Sequence, residues 1–216
     1  MLTVFVMVMA GWVLSLSLHE FAHALVAYWG GDTTVREKGY LTMNPLKYTH
    51  PVYSLLLPVL FLLMGGIGLP GGAVYIEVWR LRSRKWESAV SLAGPVANLM
   101  IAALLGLMFG FGWLGQGAVG QSLAFVGLLQ VTSAFFNLIP VPPFDGFGAL
   151  RPWLGGVARQ RMDELSGVSM WLVLALFWFV PAASSLFWFA VGVTARLLGI
   201  PLELALQGQQ AFLFWR

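Results

Sequence analysis

Cysteine is absent from this chain of 216 residues, charged residues make up only 10% of it, and histidine occurs three times, at His19, His23 and His50. The missing cysteines exclude disulfides and any thiolate-ligated metal, so a bound zinc has to draw on His, Asp or Glu. With so few histidines, its third ligand is expected to be a carboxylate. The scarcity of charge, set against 59% hydrophobic residues and a mean hydropathy of +0.81, excludes a separate soluble domain and points to a polytopic membrane protein. The net charge of +3 does not point to nucleic acid, because the basic residues fall in short loops between apolar runs, the ordinary pattern of membrane orientation. Nucleic acid is therefore excluded as a partner, and the lipid bilayer is the expected surrounding. No internal repeat, low-complexity tract or interdomain linker is visible. A single membrane-embedded domain over 1–216 is expected, with its core in 1–150 and a C-terminal hairpin and tail in 168–216.

Long apolar runs are what the chain does have. Residues 1–29 end at Gly30-Gly31-Asp32, a helix stop, and the runs 88–113 and 119–139 are each long enough to cross a bilayer. Residues 1–18 lack the basic n-region of a signal peptide and are expected to belong to the mature first helix. The run 168–200 is too long for one untilted span and is interrupted at Pro181, which suits a helical hairpin. Residues 32–50 read as a loop. The run 52–69 holds Pro58 and ends in a Gly/Pro cluster, so its status is open on composition alone. Residues 73–79 are rich in strand formers, and the tail 201–216 reads as an interfacial anchor. The expected fold class is an all-α polytopic membrane protein of about five transmembrane helices, with a re-entrant or interfacial segment and a short strand-like cytoplasmic loop.

Into the first helix the sequence places His19-Glu20-Phe21-Ala22-His23. Ionisable groups in a membrane helix are costly and mark function by default. Four residues apart on a helix, His19 and His23 lie one above the other and can converge on one ion, while Glu20 can reach a water on that ion. This is the His-Glu-x-x-His pattern of zinc hydrolases. A third ligand has to lie at the same depth, and Asp145 offers a carboxylate just after the 119–139 run, in backbone broken by Pro140, Pro142 and Pro143. For the first helix and the 119–139 helix both to end on the zinc side, the crossings between them must be even in number, so 52–69 is expected to return to the side it left. Ten basic residues then share the zinc side, from Arg36 to Arg161, and the turn around residues 113–120 opposite has none. By the positive-inside rule the active site faces the cytoplasm.

Three separated motifs together resemble the site-2 protease family: His19 to His23, Ala93-Gly94-Pro95-Val96-Ala97-Asn98-Leu99, and Asn137 through Asp145-Gly146. Gly31-Asp32-Thr33-Thr34 and Leu41-Thr42-Met43-Asn44-Pro45-Leu46 are similar to its small bacterial branch, which has no PDZ or CBS domain. The resemblance covers most of 15–150. It implies an intramembrane zinc metalloprotease in the cell membrane that cleaves transmembrane segments of protein substrates. One zinc would be held by His19, His23 and Asp145, with Glu20 as general base. Asn98 and Asn137 would line the substrate-binding side; hydrogen bonding between helices is the alternative role for both. Residues 73–79 match in position an edge strand thought to clamp substrate, but lack the prolines often found there, which favours a merely connecting role. Lys47-Tyr48-Thr49-His50-Pro51 departs from the branch's usual Lys-His-Ile-Asp-Pro, and His50 is read as structural. A non-catalytic adaptor on the same fold is the alternative function, though an adaptor has no need of Glu20. A metal transporter would need further His, Asp or Glu toward the outer half, where none is expected.

Overall fold

The computed structural model describes residues 1–47 and 74–215. The first helix, α1 (Leu2–Gly30), is 29 residues long and buries one stripe: Val4, Val8, Trp12, Leu16, His19, Glu20, His23, Ala24 and Ala27. That three-to-four spacing is the period of a helix face, so the face that holds the bundle together is also the face that carries the motif. α1 stops at Gly31, whose φ of +120° suits glycine alone, with its N–H on Tyr28 O and that of Asp32 on Ala27 O. A Cβ there would also lie 2.8 Å from the Arg80 carbonyl.

After a one-turn helix, α2 (Thr34–Glu37), and a 3₁₀ turn at Pro45–Lys47, the described chain resumes at residue 74 and forms a second 3₁₀ turn at Val78–Arg80. Two long helices follow, α3 (Arg84–Gly110) and α4 (Ala118–Asn137), antiparallel across the short turn at 111–117. Then come α5 (Asp145–Leu150), a 3₁₀ turn at Arg151–Trp153, α6 (Gly156–Glu164), α7 (Ser166–Phe179), α8 (Pro181–Leu197) and α9 (Leu202–Phe212). α1, α3 and α4 are each long and apolar enough to cross a membrane; α6 with α7, and α8 with α9, would each make a further span, bent by 71° and 117°. The protein is thus an all-α polytopic membrane protein with three to five spans.

The core lies where α1, α3 and α4 meet. Val4, Val8, Trp12 and Leu16 pack on Phe125, Val126 and Leu129 of α4 and on Phe212 of α9. Ala102 and Ala124 pack with Val191 and Ala195 of α8 and with Ile200, Leu204 and Ala205. Small residues at these seams let backbones approach closely, the main source of helix association in lipid. The ring of Phe136 lies 5.3 Å from that of Phe177 and 4.7 Å from that of Phe187, and the latter two are 5.0 Å apart. Rings ten positions apart on one straight helix would stand about 15 Å apart, so the contact of Phe177 with Phe187 shows that the chain bends sharply at Val180-Pro181.

Three expectations meet different outcomes here. No strand forms among the described residues: 74–77 is irregular, because a ladder needs a partner strand, and its backbone is held instead by side chains. The tail is packed into the bundle along one face, while Phe214 and Trp215 at its end stay half exposed. Leu204, Ala205, Gly208 and Phe212 form a buried stripe along α9 that docks on α4 and α1, and Phe212 stacks on Phe5 at 5.3 Å. The far end also carries one carboxylate, Glu203, exposed at the start of α9. The run 52–69 and His50 lie outside the described residues; the 74–77 flank stands at the Gly30 end of α1, where Glu77 N–H meets Asp32.

Candidate metal centre

His19 and His23 project from α1 toward α3, both buried, with their Nε2 atoms 3.0 Å apart. The His23 ring is oriented by a single bond: its Nδ1–H donates to the Val90 carbonyl of α3 at 2.7 Å, which leaves Nε2 as a free lone pair. Val90 precedes Gly94 and Pro95, where α3 runs closest to the site. A Cβ on Gly94 would fall on the Nε2 atoms of both imidazoles, so only glycine lets α3 pass there.

Asp145 arrives from the far side. α4 ends at Asn137, the prolines at 140, 142 and 143 prevent its continuation, and the chain doubles back so tightly that a Cβ on Gly146 would strike the Leu138 carbonyl. α5 then starts at Asp145 and is braced against α3: Ser88 Oγ donates to Ala149 O at 2.7 Å and accepts from Trp153 Nε1 at 2.8 Å. Arg151 joins the brace with Asp163 at 2.9 Å, and that guanidinium holds the Asp163 carboxyl below its ordinary value. The Ser169 hydroxyl donates to the Pro142 carbonyl and ties α7 to the same turn.

The result is a triangle. Asp145 Oδ2 lies 3.3 Å from His19 Nε2 and 3.4 Å from His23 Nε2. It is buried and makes no hydrogen bond. Three ligands at about 2.0–2.1 Å from one tetrahedral ion stand about 3.3 Å apart, so the three edges found here, 3.0, 3.3 and 3.4 Å, are those of a zinc site's face. Two facing imidazole lone pairs and an orphaned carboxylate oxygen suit a cation, and the donor set fits zinc. Among the described residues this is the one such group of His, Asp and Glu.

Glu20 is buried beside the triangle, 3% exposed, and the backbone N–H of Val74 faces its carboxylate. Three residues on, Glu77 is gripped from three sides: its N–H donates to Asp32 Oδ2 at 2.7 Å, and its carboxylate pairs with Lys38 at 2.9 Å and Arg80 at 2.6 Å. Asp32 is fully buried and also accepts from the Thr34 hydroxyl at 2.6 Å. Sequence reading gave Asp32, Glu77 and Val74 no role; the Asp32-Thr33-Thr34 signature was the one hint, since Asp two residues before a hydroxyl commonly makes such a turn. Asn98 and Asn137 are brought together, both buried, on a cavity beside His19 lined also by Gln130 and Ser133. Gln130, 2% exposed in the apolar run of α4, was missed.

A membrane helix bundle carrying a His-Glu-x-x-His pair and a third ligand, the Asp145 carboxylate, on one tetrahedral face defines a zinc metalloprotease. Comparison with known proteins agrees. The chain is 44% identical over 215 residues to the "Putative zinc metalloprotease Rip2" of Mycolicibacterium smegmatis, covering 98% of this chain and 82% of that one. It is 40% identical over 220 residues to the Rip2 of Mycobacterium tuberculosis strain H37Rv, with the same coverage. It is 32% identical over 184 residues to the "Putative zinc metalloprotease YwhC" of Bacillus subtilis, covering 82% and 81%. No family model and no solved structure matches the chain. The chain belongs to the site-2 protease family.

Proposed function

We propose that this protein cleaves peptide bonds within the transmembrane segments of other membrane proteins, with zinc held by His19, His23 and Asp145 and with Glu20 as general base. One observation carries the reading: the triangle and Glu20 sit on the buried face of an apolar helix, with the end of α1 at Gly30 roughly 16 Å further along its axis. A site at that depth suits a substrate that is itself in the bilayer. Bound zinc supplies a Lewis acid that polarises the scissile carbonyl and acidifies water. Glu20 takes the proton from the attacking water at its carboxylate and returns it to the leaving amine. The Val74 N–H faces that carboxylate from the side of the 74–77 segment.

A helical substrate hides its carbonyls in its own hydrogen bonds, so it has to be extended locally before attack. The backbone of 74–77 passes Glu20 without a partner strand among the described residues and offers an edge for such a segment. Asn98 and Asn137 are assigned to the substrate-binding side of the same centre. The ten basic residues gathered at the Gly30 end support a cytoplasmic active site in the cell membrane.

The test is Glu20→Gln in the purified protein with a helical transmembrane substrate. Gln keeps the volume and still hydrogen-bonds water but cannot take its proton, so cleavage should fall by about 10²- to 10⁴-fold while zinc stays bound and uncut substrate co-purifies. Undiminished cleavage would remove Glu20 from the mechanism. A wild-type protein inert toward every transmembrane substrate would favour the adaptor.

A further inference from the structure

Among the described residues four buried side-chain atoms have no hydrogen-bond partner in the protein: His19 Nδ1, Asn98 Oδ1, Asn137 Nδ2 and Asp145 Oδ2. The last faces the metal triangle. The other three belong to residues from α1, α3 and α4 that line one cavity of about 10 Å³, together with Gln130 and Ser133. An unpaired polar atom in a buried site is costly, so three on one cavity call for a common partner. We propose that this cavity is a water site, in which a single water joins His19 Nδ1 to Asn98 and Asn137 and so fixes the His19 ring for metal binding. The inference rests on the zinc reading above.

The size and the chemistry of the cavity point to the same occupant. Its volume of about 10 Å³ is that of about one water. With Nε2 turned to the metal, His19 carries its proton on Nδ1 and donates; Asn137 Nδ2 also donates, and Asn98 Oδ1 accepts. Two donors and one acceptor match what a water offers, two lone pairs and two hydrogens, with its second hydrogen left for Gln130 or Ser133. The contrast between the two imidazoles argues the same way. His23 is oriented directly by the Val90 carbonyl at 2.7 Å, whereas His19 has no protein atom in that role, and a metal-bound histidine nearly always holds its second nitrogen by a hydrogen bond. Asn98 and Asn137 are in this reading positioning residues for His19 in addition to their place on the substrate-binding side.

Zinc affinity of the full-length protein in detergent, measured by chelator competition, tests this. Asn98→Leu and Asn137→Leu should each weaken zinc by about 10- to 100-fold. The isosteric aspartates separate hydrogen-bond roles from packing: Asn98→Asp keeps the acceptor and should hold zinc as the wild type does, while Asn137→Asp loses the donor and should fail like Asn137→Leu. In ¹⁵N-histidine spectra of the zinc-loaded wild type, the His19 Nδ1 proton should show cross-relaxation with water, lost in Asn137→Asp. His19→Ala is the reference for the zinc site itself. Unchanged zinc affinity in both leucine variants, with zinc lost in His19→Ala, overturns the water site and leaves the zinc reading intact; zinc retained in His19→Ala overturns both. Equal behaviour of the two aspartate variants overturns the assigned roles, and that comparison survives if the leucine variants fail to fold.

Discussion

The Glu77 backbone N–H donates to Asp32 Oδ2 at 2.7 Å, across 45 positions of sequence. Asp32 follows the stop of α1 at Gly31, and Glu77 closes the 74–77 segment, so this bond ties that segment to the end of the helix that carries Glu20. Asp32 is fully buried and its other oxygen holds the Thr34 N–H at 3.1 Å and hydroxyl at 2.6 Å.

Asp32→Ala should therefore cost about 2 kcal/mol or more, since it leaves the Glu77 and Thr34 amides without their acceptor. It should also lower cleavage by loosening 74–77 over Glu20. A lower unfolding midpoint, with new proteolytic cutting within 74–80, is the expected outcome. Asn at this position retains one of the two acceptor oxygens and should fall between. Wild-type stability and protease resistance in Asp32→Ala would show that the segment is held by other contacts.

The same clip gives a pH dependence of known sign. The hydrogen bond from Arg80, and then that from Lys38, holds the Glu77 carboxyl below its ordinary value of 4.5. A carboxyl depressed in the folded state stabilises above its unfolded pKa and loses that contribution as pH falls through the folded value. Wild type should thus be more stable than Glu77→Gln at neutral pH, and the two unfolding midpoints should converge as the pH drops below 4.5. Parallel curves across that range would show the ion pairs to be energetically idle, as exposed pairs often are.

Gly94→Ala separates local helix preference from the site. In α3 the change to alanine favours the helix by up to about 1 kcal/mol, yet the new methyl would occupy the place of the two Nε2 atoms. The expected outcome is a protein that folds, but whose zinc content on metal analysis falls well below one per chain. Full zinc occupancy would mean that α3 can shift away without disturbing His19 and His23.

His19, Glu20 and His23 were legible because their spacing alone brings them together on a helix, and Asp145 because only one carboxylate followed a span at a proline-broken turn. The spans were legible for the same reason, being long runs of one composition. What was not legible depends on backbone atoms or on distant partners. The Val90 carbonyl that orients His23 has no side-chain signature, and Gly94, though part of a quoted motif, shows its steric role only when α1 is laid across it. Residues 73–79 have strand-forming side chains, but a strand also needs a neighbour. The small residues Ala205 and Gly208 let the tail fold back on α4, which hydropathy alone does not distinguish from lying on a membrane surface.

Orientation yields the last prediction. α1 runs to Gly30, whose carbonyl accepts the N–H of Arg82 at 2.9 Å, so the chain entering α3 stands at that end. Arg151 is 3.9 Å from Glu87 near the start of α3 and 2.9 Å from Asp163, which brings the 151–164 segment with Arg159 and Arg161 to the same end. The uncharged turn 111–117 and Arg196, near the end of α8 where Leu198 meets Gly106, mark the opposite end. Among the described residues, ten basic residues against one set the expected orientation with the Gly30 end in the cytoplasm. This chain has no cysteine, so single cysteines report cleanly. With an impermeant thiol reagent on intact cells, Thr42→Cys, Ser83→Cys and Gly156→Cys should stay unlabelled until the cells are opened, and Gln116→Cys should label at once. Labelling of Ser83→Cys from outside with Thr42→Cys protected would mean that the chain crosses between residues 47 and 74. That outcome would put the entry of α3 on the opposite side from the end of α1, and would contradict the hydrogen bond between Arg82 and Gly30.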